Sequence, residues 1–318
     1  MSLRRTLSSS PAIRGLSVLA VLILAGLVLP GCSVRKLAVN KVADALTGGS
    51  STFVTDDDPE LVRDALPFSL KLMESLLAES PTHAGLLLTL GSGFTQYGFA
   101  FVQQEAERVE DDDLGRAREL QLRARRLYLR GRNYALRGLE AVHPGFTNAL
   151  REDPQTAVQR TRKDDVPLLY WSAAAWAAAI AQAKDDPMLV ADLPQVDALA
   201  NRALELDESW NRGALHGFMI TLAMSRATGT GDPVEEATRH FQRALELSGG
   251  TLAGPHVAFA ESVCVPTEDR TRFEASLRTA LAIDPDADLS SRLENLIHQR
   301  RARWLLDRID VLFLPSLP

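Results

Sequence analysis

The sequence predicts an all-helical fold of stacked helical hairpins, and three observations lead to it. The carboxy-terminal half repeats one helix ending three times, as Ala203-Leu204-Glu205-Leu206-Asp207, Ala244-Leu245-Glu246-Leu247-Ser248 and Ala280-Leu281-Ala282-Ile283-Asp284. Apolar residues recur at helical spacing, and no segment alternates in the manner of a half-buried strand. Punctuation suited to helix starts recurs at Asp58-Pro59, Ser80-Pro81, Asp186-Pro187, Asp232-Pro233 and Asp284-Pro285. The side-chain oxygen caps orphan amides, and Pro fits the first turn because its missing N–H is not needed there.

Taken in order, the chain begins with Arg4, Arg5 and Arg14 and an apolar run from Leu16 to Leu29, followed by Pro30-Gly31-Cys32. The run is too short to span a bilayer and reads as a secretory leader over residues 1–31. It resembles the lipobox of bacterial lipoproteins, with Pro30 a departure from that pattern. The resemblance implies that Cys32 is lipidated and heads the mature chain. It also implies three acyl chains, where one alone would hold only marginally. Ser33, rather than Asp, points to outer-membrane anchoring with the body facing the periplasm. Residues 32–57 read as a tether with one short helix, since Gly48-Gly49-Ser50-Ser51 lies within them. Only Cys264 remains once Cys32 carries lipid, so no intrachain disulfide is available, and Cys264 reads as a small buried apolar residue.

A single all-helical domain is expected over residues 58–318. One helix covers about Ala84 to Arg108. A long one follows Asp113, with Ala117, Leu120, Ala124, Leu127, Gly131, Tyr134, Gly138 and Val142 as a narrow apolar seam. Another spans Pro167 to Lys184 and is apolar nearly all round, which places it inside the array. The clearest repeats cover 167–285, and the alanines of the three copies stand 41 and 36 residues apart. Ala237, Phe241 and Ala244 have the spacing of the second helix of a tetratricopeptide repeat, and Pro285 stands where that repeat's closing proline does. The expected fold is therefore a tetratricopeptide-like solenoid or superhelix. Residues 288–313, with Leu293, Ile297, Trp304 and Ile309 on one side, suit the carboxy-terminal capping helix that a solenoid needs.

Several stretches then resemble, in order, the tetratricopeptide-like T component associated with tripartite ATP-independent periplasmic (TRAP) transporters. They are Tyr97 to Ala106, Tyr128 to Ala135, Leu169 to Trp176, Arg202 to Glu208 with His216, Phe241 to Leu247, and Arg292 to Asn295 through Arg301 to Leu306. The resemblance covers about Leu72 to Phe313 and implies a periplasm-facing lipoprotein that partners the transporter's solute-binding protein. It further implies a body that can form homotrimers and an internal apolar channel that hands on small organic solutes.

Composition limits the alternatives. With 35 Lys and Arg against 41 Asp and Glu, the net charge is -6, which disfavours nucleic acid as a partner. No two of the six histidines have the i, i+4 spacing of a helical zinc site, and Gly91-Ser92-Gly93 lacks the strand and lysine of a phosphate loop. No metal, cofactor or catalytic constellation is expected, and the chain reads as a binding protein rather than an enzyme. The acidic runs Asp56-Asp57-Asp58 and Asp111-Asp112-Asp113 precede helices and suit capping better than calcium. Eight arginines between Arg116 and Arg137 form either a dock for an acidic partner, with Arg123, Arg126 and Arg130 as its candidates, or a solvated face paired with acids. The candidate channel residues are Phe94, Tyr97, Phe101, Tyr170, Trp171, Trp176, His216 and Phe218, each with core packing as its competing role. The rival function is an outer-membrane assembly or envelope scaffold whose repeats bind peptides.

Overall fold

The computed structural model describes residues 31–48, 52–226 and 231–313. The leader, apart from Gly31, lies outside the described residues. Every regular element among the described residues is helical. Helix α1 covers Gly31–Thr47, α2 Pro59–Glu79 and α3 Ala84–Tyr97; a π-helical segment, Gly98–Gln103, joins α3 to α4, Gln104–Val109. There follow α5 (Leu114–Val142), α6 (Phe146–Glu152), α7 (Pro154–Val158), α8 (Val166–Ala181), α9 (Pro187–Val190) and α10 (Leu193–Asp207). The chain continues through α11 (Ala214–Ser225), α12 (Pro233–Ser248) and α13 (Gly254–Phe259), then a second π segment, Ala260–Cys264. It closes with α14 (Arg270–Ala282), α15 (Arg292–Asp307) and α16 (Ile309–Leu312).

The punctuation acts as expected at Asp58, Asp186 and Asp232, whose side chains accept from amides of the first turn. Asp153-Pro154 opens α7 in the same way and escaped the sequence reading. Two expected starts differ: Ser80 ends α2, and Asp284-Pro285 lies in the turn after α14. There the proline marks where a helix stops, because it cannot extend one.

Helix α5 packs between α3 and α8. A Cβ on Gly131 would stand 2.8 Å from the Gly91 carbonyl oxygen, so glycine is what lets the backbones of α3 and α5 meet. The buried stripe of α5 runs through Ala117, Leu120, Ala124, Tyr128, Gly131, Ala135 and Leu139, whereas Val142 is exposed. Of the predicted seam, Ala117, Leu120, Ala124, Gly131 and Gly138 are buried, while Leu127 and Tyr134 are half-buried beside Tyr128 and Ala135, which take the buried places. Strict three-four spacing averages 3.5 residues per turn, and a straight helix drifts about 20° per heptad away from it. Helix α8 is covered by α3, α5, α10 and α11, in keeping with its apolar circumference. Ala203, Ala244 and Ala280 are fully buried near the ends of α10, α12 and α14, the three copies of the repeated ending.

The capping helix is a correction of detail. Helix α15 closes the array onto its beginning as well as covering α13 and α14, because it also packs on α2. The Leu293 amide donates to the Val54 carbonyl at 3.1 Å, Arg300 pairs with Glu60 at 2.6 Å, and Arg308 pairs with Asp111. Its buried side includes Asn295, Gln299 and Arg301, polar residues with fixed partners. Asn295 accepts from the Ala253 amide, and Gln299 donates to the Ala280 and Ile283 carbonyls left open at the end of α14. Arg301 lies between Glu107 and Glu261, each at 2.5 Å. The stretch expected to be a tether also differs. Its helix α1 lies against α2 and α3, with Ala43 fully buried and Asp44 3.1 Å from His83.

Candidate ligand cavity

The helices frame a cavity of about 450 Å³, open on one side, within the about 300–1,000 Å³ usual for small-molecule sites. Each part of the wall has a local cause. The π segment Gly98–Gln103 holds one residue more per turn than an α-helix and sets Phe99 and Ala100 on the wall. Tyr128 packs on Gly98 with its hydroxyl donating to Gln103 Oε1 at 2.5 Å, which holds this irregular turn in place. From α8 come Tyr170, Trp171, Ala174 and Ala178. From α11 comes Phe218, beside Gly217, and from α15 come Leu293, Glu294, Ile297 and His298.

The link from α10 to α11 is strained. Asn211, Arg212 and Gly213 have φ of 45°, 59° and 86°, a left-handed run that is unfavourable for the two non-glycine residues. It places Asn211 and Gly213 on the wall and turns Arg212 outward, where its guanidinium meets Asp288 at 2.5 Å, Ser291 at 2.9 Å and Thr251. That three-point hold offsets the strain.

The aromatic wall is ordered by edge contacts. Tyr170 meets Trp171 at 4.8 Å and 78°, and Phe218 at 6.1 Å and 82°. The polar groups are few. Glu294 lines the cavity on its solvent-open side and is itself exposed, and its carboxyl has no hydrogen bond among the described residues. Desolvation by the surrounding protein holds this carboxyl above the usual carboxylate range, against the opposing pull of Arg212. Burial, with the charge of Arg301 adding to it, pushes His298 down to about 4, and its Nδ1 has no partner among the described residues. The Tyr170 hydroxyl is held above its usual value by burial and by Glu294. No Lys or Arg lines the cavity among the described residues.

Of the sequence candidates, Tyr170, Trp171 and Phe218 come together on this wall, and the other five lie elsewhere. Phe94 stacks on Tyr134 at 5.9 Å under Arg130, and Tyr97 packs against Phe101 at 5.6 Å. Trp176 donates to Asp192 at 3.1 Å beneath Arg132. His216 sits 2.9 Å from His240, Nδ1 to Nδ1, with Glu208 at its other nitrogen. Sequence reasoning missed Phe99, Asn211, Glu294 and His298. The last two share one face at i, i+4 beside Leu293 and Ile297, a polar pair within an apolar stripe, and that was their available signal.

The arginines of α5 are largely engaged. Arg130 binds Glu74, which also accepts from Tyr134, while Arg125 pairs with Asp186 and Arg137 reaches the Pro81 carbonyl. Arg123 lies over Tyr97 at 6.0 Å, and Arg126 is exposed.

The helices thus frame a cavity walled largely by aromatic side chains. The chain belongs to the family of the TRAP transporter T-component, whose model matches residues 55–313. A relative from Treponema pallidum (strain Nichols), described as an uncharacterized protein, is 30% identical over 306 residues, covering 91% of this chain and 95% of its own. The family is one of transporter components rather than enzymes. No helix among the described residues is long and apolar enough to cross a membrane.

Proposed function

We propose that this protein is a lipid-anchored, periplasm-facing accessory of a TRAP-type transporter, which holds the solute-binding component and accepts small organic solutes in its central cavity. The observation that carries the reading is the cavity itself, in a chain of this family. A packed scaffold has no need of such a void, since interiors close to near-crystalline density and empty space destabilises them. The wall of Phe99, Tyr170, Trp171 and Phe218 is supported by its neighbours and is suited to an apolar body. Anchoring falls to Cys32, outer-membrane placement to Ser33 after it, and trimer formation extends the same reading. Arg123 and Arg126, exposed on α5, remain candidates to meet an acidic partner, whereas Arg130 is already paired with Glu74.

The test is co-purification of the full chain with a TRAP-type solute-binding protein from the same organism. Recovery of the pair supports the reading, and repeated failure with both proteins folded overturns the partner half of it. Cys32→Ala is expected to move the protein from the detergent-soluble membrane fraction to the soluble fraction.

A further inference from the structure

The wall of the cavity has a charge character that its apolar lining does not require. One carboxyl, on Glu294, lines the cavity, and five aromatic rings, Phe99, Tyr128, Tyr170, Trp171 and Phe218, share its wall. No cationic side chain shares the wall among the described residues. The nearby guanidinium of Arg212 is committed to Asp288, Ser291 and Thr251, and supplies Glu294 with a field but no hydrogen bond. His298 is held neutral in the neutral range by its burial.

We propose that the cavity selects an organic monocation, an ammonium group on an apolar body, with the ammonium held by Glu294 and the faces of the surrounding rings. This rests on the reading of the cavity as a solute site. A ligand carboxylate or phosphate would bring negative charge next to Glu294 with no cation on the wall to receive it, and an uncompensated charge in such a site is strongly disfavoured. A neutral ligand would displace water from the carboxyl and return at most one uncharged hydrogen bond, weaker than a charge-assisted one. An ammonium supplies the missing partner, gains charge-assisted hydrogen bonds and is attracted by the ring faces. The Tyr170 hydroxyl and the Asn211 side chain stand on the same wall and offer further acceptors.

The test is calorimetry on the full-length protein in detergent against three probes of one shape: 3-phenylpropylammonium, 3-phenyl-1-propanol and 3-phenylpropanoate, with detergent-only titrations subtracted. The ammonium is expected to bind about tenfold or more tighter than the alcohol, with the carboxylate weakest. Glu294→Gln is expected to remove that advantage while leaving the alcohol's affinity within about twofold, and its unchanged melting temperature shows that the fold survives. Tightest binding by the carboxylate, or an ammonium affinity indifferent to Glu294→Gln, overturns the charge selection and leaves the cavity as a solute site. Absence of binding by all three probes overturns both readings together.

Discussion

At the scale of single residues, steric room and burial decide what each position tolerates. Gly131 faces the Gly91 carbonyl oxygen and Thr95, neither of which is the free end of a flexible chain. Gly131→Ala is therefore expected to lower stability by about 1–3 kcal/mol through overpacking. Gly217, also helical, has nothing within 4 Å of the position a Cβ would take. There, Gly217→Ala is expected to raise stability by about 0.5–1 kcal/mol, because alanine loses less backbone entropy on folding. Denaturant midpoints of the two variants check both signs. The histidines give a pH dependence. Burial pushes His240 down to about 4, with His216 beside it adding to the effect, and His298 also sits at about 4. An unfolded histidine titrates near about 6.5, so between that value and about 4 the unfolded chain binds protons that the folded chain refuses. Stability is accordingly lost as pH falls through this window, and the loss levels off below it. Glu261 and Glu294, raised by desolvation, act in the opposite sense. The informative measurement is the difference between the wild type and His240→Asn, whose melting temperature should fall less steeply from pH 6.5 to pH 4.

At the scale of elements, periodicity explains both what was legible and what was not. Helix α8 announced itself through an apolar circumference, and Tyr170, Ala174 and Ala178 on one side of it line the cavity. Ala203, Ala244 and Ala280 marked three buried helix ends because small residues recur where helices approach closely. The two π segments were not legible, since an extra residue in a turn leaves no compositional trace, and the register of Phe99 depended on one. For the same reason Phe94, Tyr97 and Phe101 read as one continuous helical face, although it is their neighbours Thr95, Gln96, Phe99 and Ala100 that reach the cavity. Long-range pairing was equally hidden. Arg301 joins α15 to Glu107, just after the first π segment, and to Glu261 within the second. Nothing in the local spacing of the sequence connects these three residues. Arg301→Met leaves two carboxylates facing one another in a largely buried site, and is expected to cost about 3–5 kcal/mol in chemical unfolding. The combined variant Arg301→Met, Glu107→Gln, Glu261→Gln removes the stranded charges and is expected to regain most of that loss. A combined variant no more stable than the single one would show that Arg301 acts through packing on Trp304 instead.

At the scale of the whole molecule, the question is whether the helices form an open stack or a closed body, since only closure makes the cavity. Among the described residues there are two buried clusters, one centred on α3, α5, α8 and α10, the other on α13, α14 and the second half of α15. Helix α15 spans them, with Ile297 in the first cluster and Ala302 and Leu305 in the second. In an open stack, the last helix covers only its neighbour, and its loss frays only the end of the chain. Here the same helix supplies Leu293, Glu294, Ile297 and His298 to the cavity wall and holds the segment from Val54 to Glu60 through Leu293 and Arg300. A chain ending at Asp288 is therefore expected to lose amide protection in two places remote in sequence. One is the second cluster, around Phe259, Phe273 and Leu277; the other is residues 52–62 at the opposite end. Protection around Leu90, Tyr128 and Leu169, deep in the first cluster, is expected to persist, because their packing does not pass through α15. Hydrogen exchange resolves these regions separately, since local opening reports the stability of each cooperative unit. Faster exchange confined to the carboxy-terminal side would mean that the array is open and that the contacts to Val54 and Glu60 carry no stability.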